Sequence, residues 1–457
     1  MKKAGLFWLA LLLALLPSVS PGQTIRDVSE TRLSNGLKVI LLENHKAPIV
    51  TFQVWYRAGG RNERVGRTGL AHLLEHMMFK GTRKVSGEEF HKIVNENGAE
   101  QNAFTSHDFA AYFETLRSDR VGVPLRLEPD RMSNLVLRES DFKTERLVVI
   151  EERRMRVDDN PNAALLEQLE AAAFVSQPYH WPVIGWVEDI ERLTLKDVQT
   201  FYSAYYNPAH AIIVVVGDFR KETLLPQIEK AFGLIPSPPA PERNTIEDPP
   251  QKGERRIRVE RPAQVGAVIA AYHVPNLRAS DAYVLEVIQA ILSSGKSSRL
   301  YDHLVRGKEV VLEASADYNM VSQDPGLFYI SGTFLPHRNG AEVEKALYEE
   351  LELLKTVPVE PRELEKAKNQ IEASFVLDQD SLFTLGMNLA TYEIAYDWRA
   401  IGNYVPSIRS VTPDEILRVA AKYFTPLNRT VGVLVPTGPA KDAPAPPMGG
   451  MKERMIR

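Results

Sequence analysis

Gly69-Leu-Ala-His-Leu-Leu-Glu-His-Met-Met-Phe79 is the stretch on which the reading of this chain turns. Its apolar residues recur at helical spacing, so the segment is read as a helix. Helix positions four apart lie one turn apart on the same face. His72 and His76 can therefore present two imidazoles to one ion, with Glu75 beside the second of them. A catalytic metal held this way needs a third protein donor from elsewhere in the chain.

The chain contains no cysteine, which excludes disulfides, thiolate metal sites and cysteine nucleophiles. The missing donor must then be His, Asp or Glu. The leading source is the helical run Glu145-Arg-Leu-Val-Val-Ile-Glu-Glu152, in which Glu145 and Glu152 stand two turns apart on one face. From the residues alone, either could bind the ion while the other orients a histidine from behind.

Outward from these motifs, the 457 residues exceed the size at which one core stops growing, roughly 250–300, and two or more domains are expected. A balance of 55 basic against 59 acidic residues, with no dense basic run, argues against nucleic acid as a partner. Lys2-Lys3, the apolar run Ala4 to Leu16 and the small residues up to Gly22 form the pattern of a signal peptide, 1–22. An uncleaved membrane anchor is the alternative, although the run falls short of the roughly 20 residues needed to span a bilayer. The chain is thus expected to be exported, to the periplasm if bacterial, with no integral membrane segment once the signal is removed.

Along the chain, Asn35-Gly36 marks a hairpin turn, and Ile49 to Tyr56 and Ala211 to Val216 read as strands. Ala99 to Leu116 also reads as strand. Glu139 to Arg156 and Ala163 to Phe174 read as helices broken at Asn160-Pro161. The Pro-rich stretch 236–256 reads as a linker. Beyond it the order recurs: a strand from Val265 to His273, a helix from Asp281 to Leu292 and a late strand from Thr430 to Val435. The reading is therefore an internal duplication, with halves 24–235 and 257–435 and a disordered tail 436–457.

The segments Gly69 to Thr82, Gln101-Asn-Ala-Phe-Thr105 and Glu145 to Glu152 lie in the order found in one family, with Pro178 to Gly185 and Tyr206 to Ala211 in support. Together they resemble the pitrilysin family of zinc metallopeptidases, the inverzincins, in which His-x-x-Glu-His reverses the commoner motif. The chain looks similar to the beta-type subunits of the mitochondrial processing peptidase and to small bacterial zinc proteases. The resemblance spans about residues 27 to 435. It implies an α+β fold of two homologous halves, each a mostly antiparallel sheet with flanking helices on one side, enclosing a cleft.

Carried over residue by residue, the resemblance implies one Zn2+ per chain held by His72, His76 and Glu152. Glu145 becomes the carboxylate behind the ligands, and Glu151 lies one residue out of register. Glu75 becomes the general base of a zinc-dependent endopeptidase that uses a metal-activated water. Asn102, Ala103, Phe104 and Thr105 become a strand that binds peptide substrates in extended form, by strand addition.

One part of the pattern is missing. Active relatives place an Arg and a Tyr after a segment like Ser297-Ser-Arg-Leu-Tyr301, to hold substrate and steady the oxyanion. Here those positions read Val305 and Leu312, with Arg306 one residue off and Tyr318 farther along. Neither Val nor Leu donates a hydrogen bond. A dimer is therefore expected, preferably with a homologous zinc-free subunit supplying Arg and Tyr. A non-catalytic peptide-binding or scaffold subunit of a complex is the alternative.

Overall fold

A computed structural model describes residues 27–238, 246–334 and 338–438. The segment read as a signal peptide and nearly all of the C-terminal tail lie outside the described residues. Strands β1 (Ser29–Arg32) and β2 (Lys38–Glu43) form the hairpin signalled by Asn35-Gly36. Its loop is wider than a two-residue turn, because Arg32 pairs with Lys38. Leu33 and Leu37 bracket that loop, both buried, with the Leu33 amide bonded to the Leu37 carbonyl. Their burial sets the wider turn.

Strands β3 (Ile49–Tyr56), β4 (Glu100–Thr105), β5 (Ala110–Arg117) and β6 (Ala211–Gly217) complete a six-stranded sheet in the order β1-β2-β6-β3-β5-β4. Strands β7 (Arg255–Arg261), β8 (Gly266–Val274), β9 (Glu313–Tyr318), β10 (Gly326–Phe334) and β11 (Arg429–Pro436) form a second sheet, β7-β11-β8-β10-β9. Strand β7 thus begins inside the stretch read as a linker. With β1 set aside, the two sheets have one topology: in each, the first strand lies beside the fifth, followed by the second, fourth and third. Each also has one parallel pair at the same place, β2 with β6 and β7 with β11, and is otherwise antiparallel.

The unbroken apolar run of β6 reflects burial on both sides. Ala211, Ile213 and Val215 join the core formed with the helices of the first half, and Ile212, Val214 and Val216 join the opposite core. Strand β8 divides in the same way, with Ala267, Ile269 and Ala271 on one face and Val268, Ala270 and Tyr272 on the other. Within each half the helices do lie on one side, as expected. The second face of each sheet is covered by a helix from the other half.

The helix Pro161–Ala173 packs on β7, β8 and β11, placing Leu165, Leu169 and Ala173 against the second sheet. The helix Leu382–Ala395 packs in return on β3 and β6 of the first. Asn160-Pro161, read as a break, is where the first of these helices begins: the Asn160 side chain accepts the Ala163 amide and Pro161 fills the first position. The exchange predicts long-range destabilisation. Leu165→Ala removes a fully buried side chain of the first half from the face of the second sheet. It is expected to cost about 2–5 kcal/mol in denaturant unfolding. A loss under about 0.5 kcal/mol, the size of an ordinary surface change, would contradict the packing described.

Candidate metal centre

The helix Leu70–Met77 buries Leu70, Leu73, Leu74 and Met77 at helical spacing, which turns His72, Glu75 and His76 towards the helix Glu139–Arg153 and strand β4. Its start is fixed twice. The buried Glu63 carboxyl accepts the backbone amides of Gly69 at 2.9 Å and Ala71 at 2.7 Å, while burial pushes its pKa well up against those bonds. Gly69 has φ +81°, and a Cβ there would stand 2.5 Å from the Ile184 carbonyl oxygen. Gly185 packs on it so closely that its own Cβ would lie 2.5 Å from the Gly69 Cα. Ile184 and Gly185 are therefore the bed on which the start of the histidine helix rests.

The helix Glu139–Arg153 directs Phe142, Glu145, Val149 and Arg153 inward. Arg153 locks its end, with its guanidinium on both Glu167 oxygens at 2.7 and 2.9 Å and on the Gly185 carbonyl at 2.8 Å. Glu152 is brought to the histidines: its Oε1 lies 3.7 Å from His72 Nε2 and its Oε2 3.3 Å from His76 Nε2. Glu151 points outward instead, 60% exposed and paired with Arg154. Glu145 stands behind His76, accepting from its Nδ1 at 3.1 Å and from Lys80 Nζ at 2.5 Å. His72 Nδ1 is buried and has no hydrogen-bond partner among the described residues.

One donor atom each from His72, His76 and Glu152 lie within 4.8 Å of one another. Donors about 2.0–2.1 Å from a tetrahedral ion stand roughly 3.3–3.4 Å apart, so an ion would have to draw these atoms closer together; two His with one Glu is a donor set that zinc accepts. The protonation states of His72 and Glu152 suit metal ligands, whereas an ion must displace a proton from His76. Burial pulls His72 down to about 4 against the pull of Glu152, leaving a neutral imidazole with a lone pair to offer. Burial acts to raise Glu152, but the hydrogen bond from His76 and the charges of His72 and Arg156 outweigh it and hold the carboxyl at about 2. Burial acts to lower His76, and its bonds to Glu152 and Glu145 carry it above the ordinary value. Glu75 is raised by burial, with the Thr105 hydrogen bond opposing.

The residues of β4 divide by the strand's alternation. Thr105 Oγ1 donates to Glu75 Oε2 at 2.5 Å. Phe104 is buried against Trp55 and Phe109, so its side chain serves the core. Ala103 is half-buried, and its amide is bonded to the Asn102 side chain at 2.9 Å. Sequence reasoning missed Glu63, Lys80 and the Thr105–Glu75 bond, none of which has a local spacing signal.

The second half brings no donor to the missing positions. Val305 packs against the core and Leu312 is exposed. Arg306 lies on the surface beside Asp302, and buried Tyr318 donates to the Pro275 carbonyl at 2.5 Å. Glu145→Gln tests the support behind the histidine. It is expected to weaken zinc affinity about 10–100-fold, measured by competition with a chromophoric chelator. An affinity within twofold of the parent would remove Glu145 from that role.

The chain is similar to known proteins over most of its length. Residues 38–185 match the family Insulinase (Peptidase family M16), and residues 192–371 match Peptidase M16 inactive domain. The zinc protease PqqE of Helicobacter pylori is 33% identical over 415 residues, covering 88% of this chain and 92% of that protein. A probable mitochondrial-processing peptidase subunit beta of Arabidopsis thaliana is 24% identical, covering 94% of this chain and 82% of that one. The crystal structure of a protease from Helicobacter pylori superposes with a TM-score of 0.86 at 32% identity, covering 90% of this chain and all of that one.

Proposed function

The chain belongs to the M16 peptidase family, and from that premise we propose that it is a zinc-dependent endopeptidase acting on extended peptides. The observation that carries this reading is the convergence of His72, His76 and Glu152 on one point, with Glu75 on the same helix beside it. A zinc ion held there would polarise a carbonyl and make a water acidic enough to attack it. Glu75, held by the Thr105 hydroxyl and raised by burial, takes up the attacking water's proton and passes it to the leaving amine. Glu145 and Lys80 keep the His76 ring oriented.

Peptide adds to β4, which is the edge of its sheet. Ser106 bonds inward to Phe109, so by alternation the amides of Gln101, Ala103 and Thr105 face the open side. Asn102 yields its bond to Ala103 when substrate arrives. The cleft between the halves 24–235 and 257–435 confines the site to unfolded segments. The vacant chemistry at Val305 and Leu312 favours a dimer in which a homologous zinc-free chain adds contacts to the substrate. A scaffold without chemistry is disfavoured, because His72, Glu75, His76 and Glu152 are all in place. The N-terminal pattern supports export, and among the described residues no helix is long and apolar enough to cross a membrane.

Glu75→Gln is expected to keep one zinc per chain by elemental analysis while peptide hydrolysis falls by about 10²–10⁴-fold. His76→Ala loses both, and a chelator abolishes cleavage reversibly. Full activity in Glu75→Gln would sink the assignment. Mixing the chain with a homologous zinc-free chain is expected to raise cleavage above that of either alone. Equal activity of the lone chain rejects the need for a partner.

A further inference from the structure

The reading above leaves the reacting carbonyl oxygen without a side-chain donor from the second half, since Val305 and Leu312 carry no polar hydrogen. The first half has a donor of its own. The helix Glu139–Arg153 does not stop at the carboxylate ligand; it widens into a π-helical turn, Arg154–Asp158. Such turns re-aim side chains and are frequent at functional sites. Three arginines follow Glu152, and they part company. Arg153 is 6% exposed and taken up by Glu167 and Gly185, and Arg154 turns outward to Glu151. Arg156 returns to the site, with Nη1 at 2.9 Å from Glu152 Oε1, the oxygen that lies 3.7 Å from His72 Nε2.

The bond holds Arg156 beside the carboxylate oxygen turned to His72. The side chain is 53% exposed, so a peptide entering from solvent can reach it. A guanidinium offers several N–H groups in one rigid plane. It can keep one on a carboxylate and turn another to a second oxygen, which a lysine ammonium does with less directional control.

We propose that Arg156 is a further catalytic residue, whose guanidinium donates to the scissile carbonyl oxygen in place of the donors absent at Val305 and Leu312. The inference rests on the zinc-peptidase reading. When the water oxygen bonds to the carbonyl carbon, the C=O π pair moves onto the oxygen that Arg156 faces, and the water's proton goes to Glu75. As the C–N bond breaks, the pair returns and the proton passes to the amine. Arg156 binds the charge while it exists. Whatever a partner adds to substrate binding, the oxyanion donor is then in this chain.

The test compares Arg156→Gln and Arg156→Lys with the parent chain. The readouts are zinc content, kcat and KM on an internally quenched peptide, and affinity for a phosphinic peptide that mimics the tetrahedral state. The expected result for Arg156→Gln is zinc retained, KM within about threefold, and kcat and phosphinate affinity both lowered about 10²–10³-fold, the loss typical of one oxyanion donor. Arg156→Lys recovers part of both. In a Glu75→Gln background the same change leaves affinity for uncleaved peptide unaltered, which separates oxyanion contact from ground-state binding. Two results overturn the proposal: kcat and phosphinate affinity close to the parent's, or zinc lost in step with activity, which would make Arg156 only a support for Glu152. A parent chain that neither binds zinc nor cleaves peptide fails the underlying reading, and this inference with it.

Discussion

The rest of the molecule depends on the exchange of one helix between two sheets. The central strands of each sheet are apolar on both faces, and each half's own helices cover only one of them. Leaving the other face in water would forfeit roughly 25 cal/mol for every Å² of apolar surface. The helices Pro161–Ala173 and Leu382–Ala395 remove that loss reciprocally. Polar ties fix the register of the exchange. At one end Glu393 receives both Lys38 and Arg57. At the other, Asp108 accepts the Tyr179 hydroxyl and the Gln323 amide, while Arg61 reaches Gln323 and Asp324.

The second tie reaches the chemistry. Asp108 sits in the turn between β4 and β5, three residues beyond Thr105, whose hydroxyl holds Glu75. The second half therefore grips the far end of the strand that holds Glu75. The histidine helix is gripped at its opposite end, by Glu63 and by the Gly69–Gly185 contact. Arg153, next to Glu152, bonds to the Gly185 carbonyl as well. The helices carrying His72, His76 and Glu152 are thus both referred to one loop, which fixes their spacing. Such preorganisation lets a site act without reorganising during reaction.

What was legible in the sequence follows from how far each interaction reaches along the chain. The histidine helix, β3, β6 and the Glu145–Glu152 face are local periodic patterns, and they lie where periodicity put them. The choice between Glu145 and Glu152 was open to spacing alone; in the structure Glu152 lies near both histidine Nε2 atoms, while Glu145 meets His76 Nδ1. The four residues of Asn102 to Thr105 were read as one unit. A strand alternates its side chains, so Phe104 goes to the core while Thr105 goes to Glu75. Glu63, Lys80 and Arg156 carry no motif at all. Glu63 and Lys80 act on neighbours that folding brings close, whereas Arg156 meets Glu152 at the ordinary four-residue helical spacing.

The two halves share a strand order but not a chemistry, and the helix exchange explains how both can be true. The helix Asp281–Ser293 follows β8 as the histidine helix follows β3. Ten of its thirteen residues are buried, and it carries no histidine. Val305 likewise faces the core in a segment where Leu300 and Leu304 are fully buried. Reciprocal covering asks of each sheet only two apolar faces and a helix to exchange, and it is indifferent to which polar residues line the space between. A half that satisfies the packing can therefore lose ligands and donors at little cost to the fold, provided that the other half keeps them. The pressure to hold every polar group of the candidate site then falls on one side, where His72, Glu75, His76, Glu145 and Glu152 occupy two helices.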